Sequence, residues 1–175
     1  MPANDELLGL LYGAQRRVEL NRYNLEVFAA IAGLFRHNLR LIDSLAGVEA
    51  SLSDASAAAK KGNHTEALAA VDRALETVRR ARADRNSALR QAVATWYKSW
   101  YARTVEANGR RFVHELDDVK DHLPDRTVDM SYLVYRELLL PMDEWYGRVQ
   151  SARNQYAQSH HLATRSERLN WTNLE

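Results

Sequence analysis

The sequence contains no cysteine, only three prolines and only seven glycines among its 175 residues. Without cysteine the chain can form neither disulfide bonds nor metal sites with thiolate ligands, although its cellular compartment stays open. The scarcity of proline and glycine, together with many Ala, Leu, Arg and Glu residues, favours helix.

A charge excess and a long hydrophobic run are also missing. Lys and Arg number 24 against 23 Asp and Glu, so the net charge of +1 gives no general attraction to nucleic acid or to an anionic membrane. No apolar run approaches the length of a membrane span. The first residues lack the basic and apolar regions of a signal peptide. We therefore expect no nucleic-acid partner, no membrane partner and no leader peptide.

Motifs for catalysis or cofactor binding are absent as well. The sequence has no Gly-rich phosphate loop, no nucleophile elbow and no His-Glu-x-x-His zinc motif. We therefore expect no cofactor and no catalytic residue in this chain. Its length predicts a single domain over residues 1–175.

What the sequence does contain is an apolar register of three- and four-residue steps in its first 46 residues. It has twelve positions, of which all but Asn21 are apolar: Leu7, Leu11, Ala14, Val18, Asn21, Leu25, Phe28, Ala32, Phe35, Leu39, Ile42 and Ala46. Such steps return side chains to one face of a helix, so we predict one rod of roughly 60 Å from Asn4 or Asp5 to near Gly47. A rod of this kind must bury its stripe against other helices. The predicted fold class is all-α, an elongated bundle of four to six helices with one long N-terminal helix.

The polar member of this register, Asn21, is expected to form a hydrogen bond between helices or to fix their register. A second helix is predicted over residues 48–60, ending at Lys61-Gly62-Asn63, where a cation precedes a glycine. A third helix follows and extends to Trp100. Its apolar stripe would include Arg82 and Arg85, so either the helix leaves the bundle there or the two arginines pair with acids of a neighbouring helix.

The last third of the chain carries further boundaries. A break is predicted at Asn108-Gly109, followed by a short amphipathic helix that contains Phe112 and ends before Pro124. The final helix is expected to kink or restart at Pro141, because acidic residues of a first helical turn follow it.

Three side chains form the best metal-site candidate. His114, Asp118 and His122 are four residues apart and share a helical face, a geometry that could hold a divalent metal. The surrounding segment mixes both charges, which is typical of a solvated face, and the carboxylate could simply hydrogen-bond both histidines. We therefore assign no metal site.

Aromatic and basic residues are the other candidates for binding. Stacked rings could contact a sugar, or they could form core or a domain interface. The aromatic candidates are Trp96, Trp100, Tyr101, Tyr132 and Trp145. The most basic stretch could contact phosphates but more commonly is solvated or pairs with acids. It contains Arg79, Arg80, Arg82, Arg85 and Arg90.

Three stretches of the amino-acid sequence resemble a known protein family. They are residues 10–17 (Leu-Leu-Tyr-Gly-Ala-Gln-Arg-Arg), residues 106–111 (Glu-Ala-Asn-Gly-Arg-Arg), and residues 117–130 continued by 132–138. Together they resemble the helical region that follows the catalytic barrel in some large bacterial family-20-like glycoside hydrolases, the β-N-acetylhexosaminidases. The resemblance spans essentially the whole chain.

This resemblance implies a non-catalytic accessory domain, cut from the C-terminal part of a larger enzyme, that packs on the catalytic domain of the same polypeptide. The localisation stays open, and a periplasmic or secreted parent enzyme is compatible with the resemblance. The family's catalytic Asp-Glu pair lies on an eight-stranded barrel, so no catalytic residue carries over to this chain. Such a domain, separated from its parent, should expose an apolar or aromatic patch. The alternative is a free-standing helical module that binds a partner helix or forms a homodimer. A metal-dependent enzyme at the histidine cluster is the third hypothesis.

Overall fold

A computed structural model describes residues 2–96, 98, 104–113, 140–167 and 169. Within these ranges the chain forms four helices and one β-hairpin. The elements are α1 (Pro2–Gln15), α2 (Arg22–Lys60), α3 (His64–Trp96), β1 (Thr104–Ala107), β2 (Arg110–Val113) and α4 (Leu140–Ser159). The predicted fold class, an all-α helical bundle, is confirmed.

The single long N-terminal helix is wrong, because the chain breaks between α1 and α2. Asn21 has a φ of 55°, the left-handed conformation that Asn tolerates better than most side chains. Its backbone carbonyl accepts a hydrogen bond from the Asn24 amide at 3.0 Å, which starts α2. The side chain of Asn21 is exposed, so its predicted place in a buried seam between helices is also wrong.

The boundary predicted near Gly47 is wrong as well, because α2 continues through this residue to Lys60. A glycine inside a helix costs only about 1 kcal/mol relative to alanine, so it does not end a long helix. The predicted end of this segment at Gly62 is confirmed. Gly62 has a φ of 78°, and the amide of Asn63 donates to the Ala58 carbonyl at 3.0 Å, as in a Schellman motif.

The described residues fall into two compact units, and α2 and α3 contribute to both. The first unit takes its described residues from Met1–Arg36 and Ser87–Leu138, and the second from His37–Asn86 and Leu139–Asn173. Leu8, Ala29 and Ala32 form the core of the first unit, with Leu11 and Tyr12 packed against them. The second core is larger and consists of Val48, Ala74, Leu75, Val78 and Tyr146.

Ion pairs hold α4 in the second unit. Arg82 Nε donates to Asp143 Oδ1 at 2.8 Å, and an Arg85 amino group lies 3.4 Å from the same oxygen. Of the two sequence-based alternatives for these arginines, pairing with an acid of a neighbouring helix is confirmed. Pro141 lies in the first turn of α4, where a residue needs no backbone donor. The predicted kink or restart there stays a prediction, because residues 114–139 lie outside the described residues.

The segment after α4 is tied to the second unit by Arg153. Its Nε and one amino group donate to the two oxygens of Asp72 at 3.0 and 2.9 Å, and the other amino group donates to the Ala163 carbonyl at 2.6 Å. Asn154 adds two hydrogen bonds to the backbone of Arg165. Side chains of α4 therefore fix the segment that follows this helix along residues 163–165.

Asn108-Gly109 forms the turn of a hairpin. The two residues have φ values of 53° and 69°, as a two-residue type I′ turn requires, and β1 pairs antiparallel with β2. Phe112 lies in β2, so placing it in a short helix was wrong. The rest of that predicted helix, up to Pro124, lies outside the described residues.

Candidate interaction surface

The most prominent surface feature of α2 is a row of six exposed, large apolar side chains, which we call the α2 apolar face. Its members and their exposed fractions are Phe28 (59%), Ile31 (46%), Phe35 (63%), Leu39 (38%), Ile42 (65%) and Leu45 (54%). At 3.6 residues per turn these positions lie within an arc of about 120° along roughly 26 Å of helix. Within this row, Phe28, Phe35 and Ile42 follow one another at heptad spacing.

The rest of the α2 surface near this row carries small residues, and these are buried. Ala29, Ala30 and Ala32 are at most 6% exposed. Leu8 of α1 packs against Ala29 and Ala32, and Asn4 donates a hydrogen bond to the Ala32 carbonyl at 3.1 Å. Small side chains let a neighbouring helix approach closely, so α2 turns its alanine side inward.

The sequence-based expectation that the apolar register would be buried is therefore wrong for four of its large members on α2, while Leu25 is half-buried. The register itself is real, since Phe28, Phe35, Leu39 and Ile42 share one face. That face, however, is the exposed one.

Charged side chains avoid the α2 apolar face. Between Asn24 and Glu49, each residue on this arc is apolar or, at Asn38, an amide. The basic residues of this part of α2 lie on other sides and pair with acids. Arg36 lies 3.8 Å from Asp5, and Arg40 lies 3.3 Å from Asp84.

The aromatic candidates do not form a comparable surface in the described part of the chain. Trp145 is partly buried and packs against the core that contains Leu75 and Tyr146. Trp96 is the last residue of α3, and the structure describes its backbone but not its side chain. Trp100, Tyr101 and Tyr132 lie outside the described residues.

The predicted metal-site candidates, His114, Asp118 and His122, also lie outside the described residues. Within the described ranges, no group of three or more histidine or carboxylate side chains has a geometry that could hold a metal ion. The metal-dependent enzyme hypothesis therefore stays a prediction about residues that the structure does not describe.

The basic stretch of α3 is engaged in ion pairs. Arg79 donates to both oxygens of Glu76 at 2.6 and 2.8 Å, and Arg80 donates to Glu76 Oε1 at 2.8 Å. These hydrogen bonds hold the pKa of Glu76 at about 2, and the contribution of Arg79 is the largest. Burial lowers the pKa of Arg85, and its neighbour Asp143 acts in the opposite direction. Acids of the chain thus satisfy much of the stretch that could have contacted phosphates.

Two further groups of polar side chains make contacts that join elements of the fold. Tyr146 donates a hydrogen bond to Glu167 Oε2 at 3.0 Å, and burial, followed by this bond, raises its pKa. His64 Nδ1 lies 2.7 Å from the Tyr156 hydroxyl, and its ring stacks on His160 with 3.6 Å between the centroids. These contacts join the end of α4 to the start of α3.

No family model matches this chain, and no curated protein or solved structure matches it either. The relation to β-N-acetylhexosaminidases consequently stays a prediction. Among the described helices, none combines the length and the apolar character that crossing a membrane requires.

Proposed function

We propose that this chain is a non-catalytic helical interaction domain that binds another protein surface through the α2 apolar face. The observation that supports it is the run of exposed side chains from Phe28 to Leu45, which no charged residue interrupts. Scattered surface leucines need no explanation, but a contiguous apolar patch on a folded domain commonly marks a binding site. Both sequence-based functional hypotheses require such a patch.

The first candidate partner is the catalytic domain of a family-20-like glycoside hydrolase, because the resemblance of residues 106–138 to the helical region of that family favours it. On this proposal the chain packs on the barrel through aliphatic and phenylalanine side chains of α2. The aromatic face proposed from the sequence is a weaker candidate, since Trp145 already belongs to a core.

The second candidate is a free-standing module that associates with itself or with a partner helix. The heptad spacing of Phe28, Phe35 and Ile42 favours it, because this spacing is typical of a helix that packs along another helix. The two candidates differ in the partner but share the surface.

A photo-cross-linking experiment in the source cells tests the proposal. A photoreactive phenylalanine analogue replaces Asn38, which lies on the face, in the native gene product. The control carries the analogue at Ala94, which is exposed on α3. Cross-linked peptides are identified by mass spectrometry. We expect cross-links to one defined protein surface from position 38 and not from position 94.

The identity of the cross-linked peptide separates the candidates. Peptides of a hexosaminidase-like barrel support the accessory domain, whereas peptides of a second copy or of another helical protein support the free-standing module. If position 38 gives no more product than position 94, the α2 apolar face is not a binding surface and the proposal is wrong.

A further inference from the structure

We infer that the occupant of the α2 apolar face is a second copy of this chain, packed antiparallel along α2 about a twofold axis. This inference rests on the proposed function, since it specifies the partner of the same surface. It is carried by the area of the face, by its heptad spacing and by the residues at its two ends.

The area of the face reaches the lower limit for a biological interface between two copies. Large side chains cover about 150 Å² or more when fully exposed, so the six exposed fractions correspond to about 500 Å² of apolar surface. Two copies would remove about 1,000 Å² from these side chains alone, which reaches the size of a biological interface of about 1,000 Å² before any flanking polar atoms are counted.

The spacing of the face fits a helix as its partner. Phe28, Phe35 and Ile42 occupy one heptad position, and Ile31 and Leu45 occupy the position three residues later. Such a seam is complementary to an identical seam, and a twofold axis uses the same patch on both copies.

The ends of the face favour the antiparallel direction. In a parallel pair the two Glu49 carboxylates would face each other at the end of the seam, and like charges in that position repel. In an antiparallel pair centred between Arg36 and His37, Glu49 lies opposite Asn24 of the second copy, whose amide can donate to it. The same arrangement places Leu45 opposite Phe28, so that a smaller side chain meets a larger one.

The first test is the mass of the chain in solution, measured by sedimentation equilibrium from about 1 μM to about 500 μM. We expect twice the 20.0 kDa of the chain at high concentration. Phe35→Glu and Ile42→Glu should each raise the dissociation constant at least about 100-fold, because a twofold axis places each new charge in the seam twice. The matched control is Ala152→Glu, which adds the same charge at an exposed position of α4 and should leave association unchanged.

The exposure of Phe35 and Ile42 lets both variants fold, and circular dichroism verifies this. A chain that stays monomeric over the whole range overturns the inference, and so does a dimer that both glutamate variants leave intact. If the chain is monomeric while position 38 still cross-links to another protein, the self-association fails and the proposed function stands.

Disulfide trapping tests the direction, and the absence of native cysteine makes each introduced thiol the only one in the chain. Disulfides form only when the two Cα atoms lie within about 7 Å. In the antiparallel dimer, Leu45→Cys and Phe28→Cys should form a disulfide when mixed, and neither should do so alone, because like positions lie roughly 26 Å apart. A disulfide between two copies of Leu45→Cys would instead show a parallel pair and contradict the inference.

Discussion

The two Schellman motifs of the second unit allow a sharp test of how the backbone contributes to stability. At the end of α2 the left-handed residue is Gly62, with a φ of 78°. At the end of α4 it is His161, with a φ of 56°, and the amide of Leu162 donates to the Ala157 carbonyl at 2.8 Å. The hydrogen-bond pattern is the same, but one motif has the residue suited to it and the other does not.

The expected magnitudes follow from two opposing terms. A side chain in the left-handed region costs about 1–2 kcal/mol, and glycine loses about 0.5–1 kcal/mol more than alanine in conformational entropy on folding. A Cβ at Gly62 would meet no atom within 4 Å, so Gly62→Ala adds backbone strain without a clash. We expect it to lower the free energy of unfolding by about 1 kcal/mol, and His161→Gly to raise it by about 0.5 kcal/mol.

Gly47→Ala is the matched control, because it makes the same chemical change inside α2. A Cβ there also meets nothing within 4 Å, and Gly47 does not have a positive φ. Here the alanine should raise the free energy of unfolding by about 0.5–1 kcal/mol.

Urea unfolding followed by circular dichroism measures all three changes at one protein concentration, since self-association would add to the apparent stability. Shifts of the same sign for Gly62→Ala and Gly47→Ala would refute the reasoning. A loss of stability in His161→Gly would refute it for the end of α4.

Three further predictions concern side chains of α3 and α4. Arg153→Met should lower the free energy of unfolding, measured by urea titration, by about 2–3 kcal/mol. The loss is smaller than for a fully buried ion pair because the Asp72 side chain is 29% exposed. An unchanged urea midpoint would contradict this prediction. The lowered pKa of Glu76 stabilises the fold fully above its ordinary value of 4.5, and this contribution is lost as the pH falls through about 2. NMR titration should show this pKa, and Arg79→Ala should return it toward 4.5; a midpoint that does not move would count against the ion pair. Gln150→Met should leave the melting temperature unchanged or raise it, because Nε2 of Gln150 is buried and finds no hydrogen-bond partner among the described residues. A clear drop would reveal a role for the amide.

Local signals in the sequence predicted those parts of the fold that depend on local chemistry. Gly62 marks the end of α2 because only glycine adopts a left-handed conformation without cost. Pro141 marks the start of α4 because a first-turn residue needs no backbone donor. That Arg82 pairs with an acid of a neighbouring helix was one of two stated possibilities, and the structure supplies the partner, Asp143.

Other parts needed information that the periodicity does not contain. The break at Asn21 interrupts a register that continues in phase on both sides, so counting apolar positions could not reveal it. The hairpin had a local signal in Asn108-Gly109, a pair typical of type I′ turns. That signal was interpreted only as a break, because the chain around it reads as helical.

Which side of α2 faces inward depends on the size of its side chains more than on their hydrophobicity. Ala29, Ala30 and Ala32 are apolar enough to be buried and small enough for another helix to approach closely. The larger set around Phe35 and Ile42 forms an equally regular apolar side, and a hydrophobic period cannot rank the two. Within the chain, close packing favours burial of the small alanine side. The large apolar side chains then remain exposed and are available for contact with another protein. Their contribution to burial is therefore expected in a complex, where the exposed area of the α2 apolar face would be removed from water.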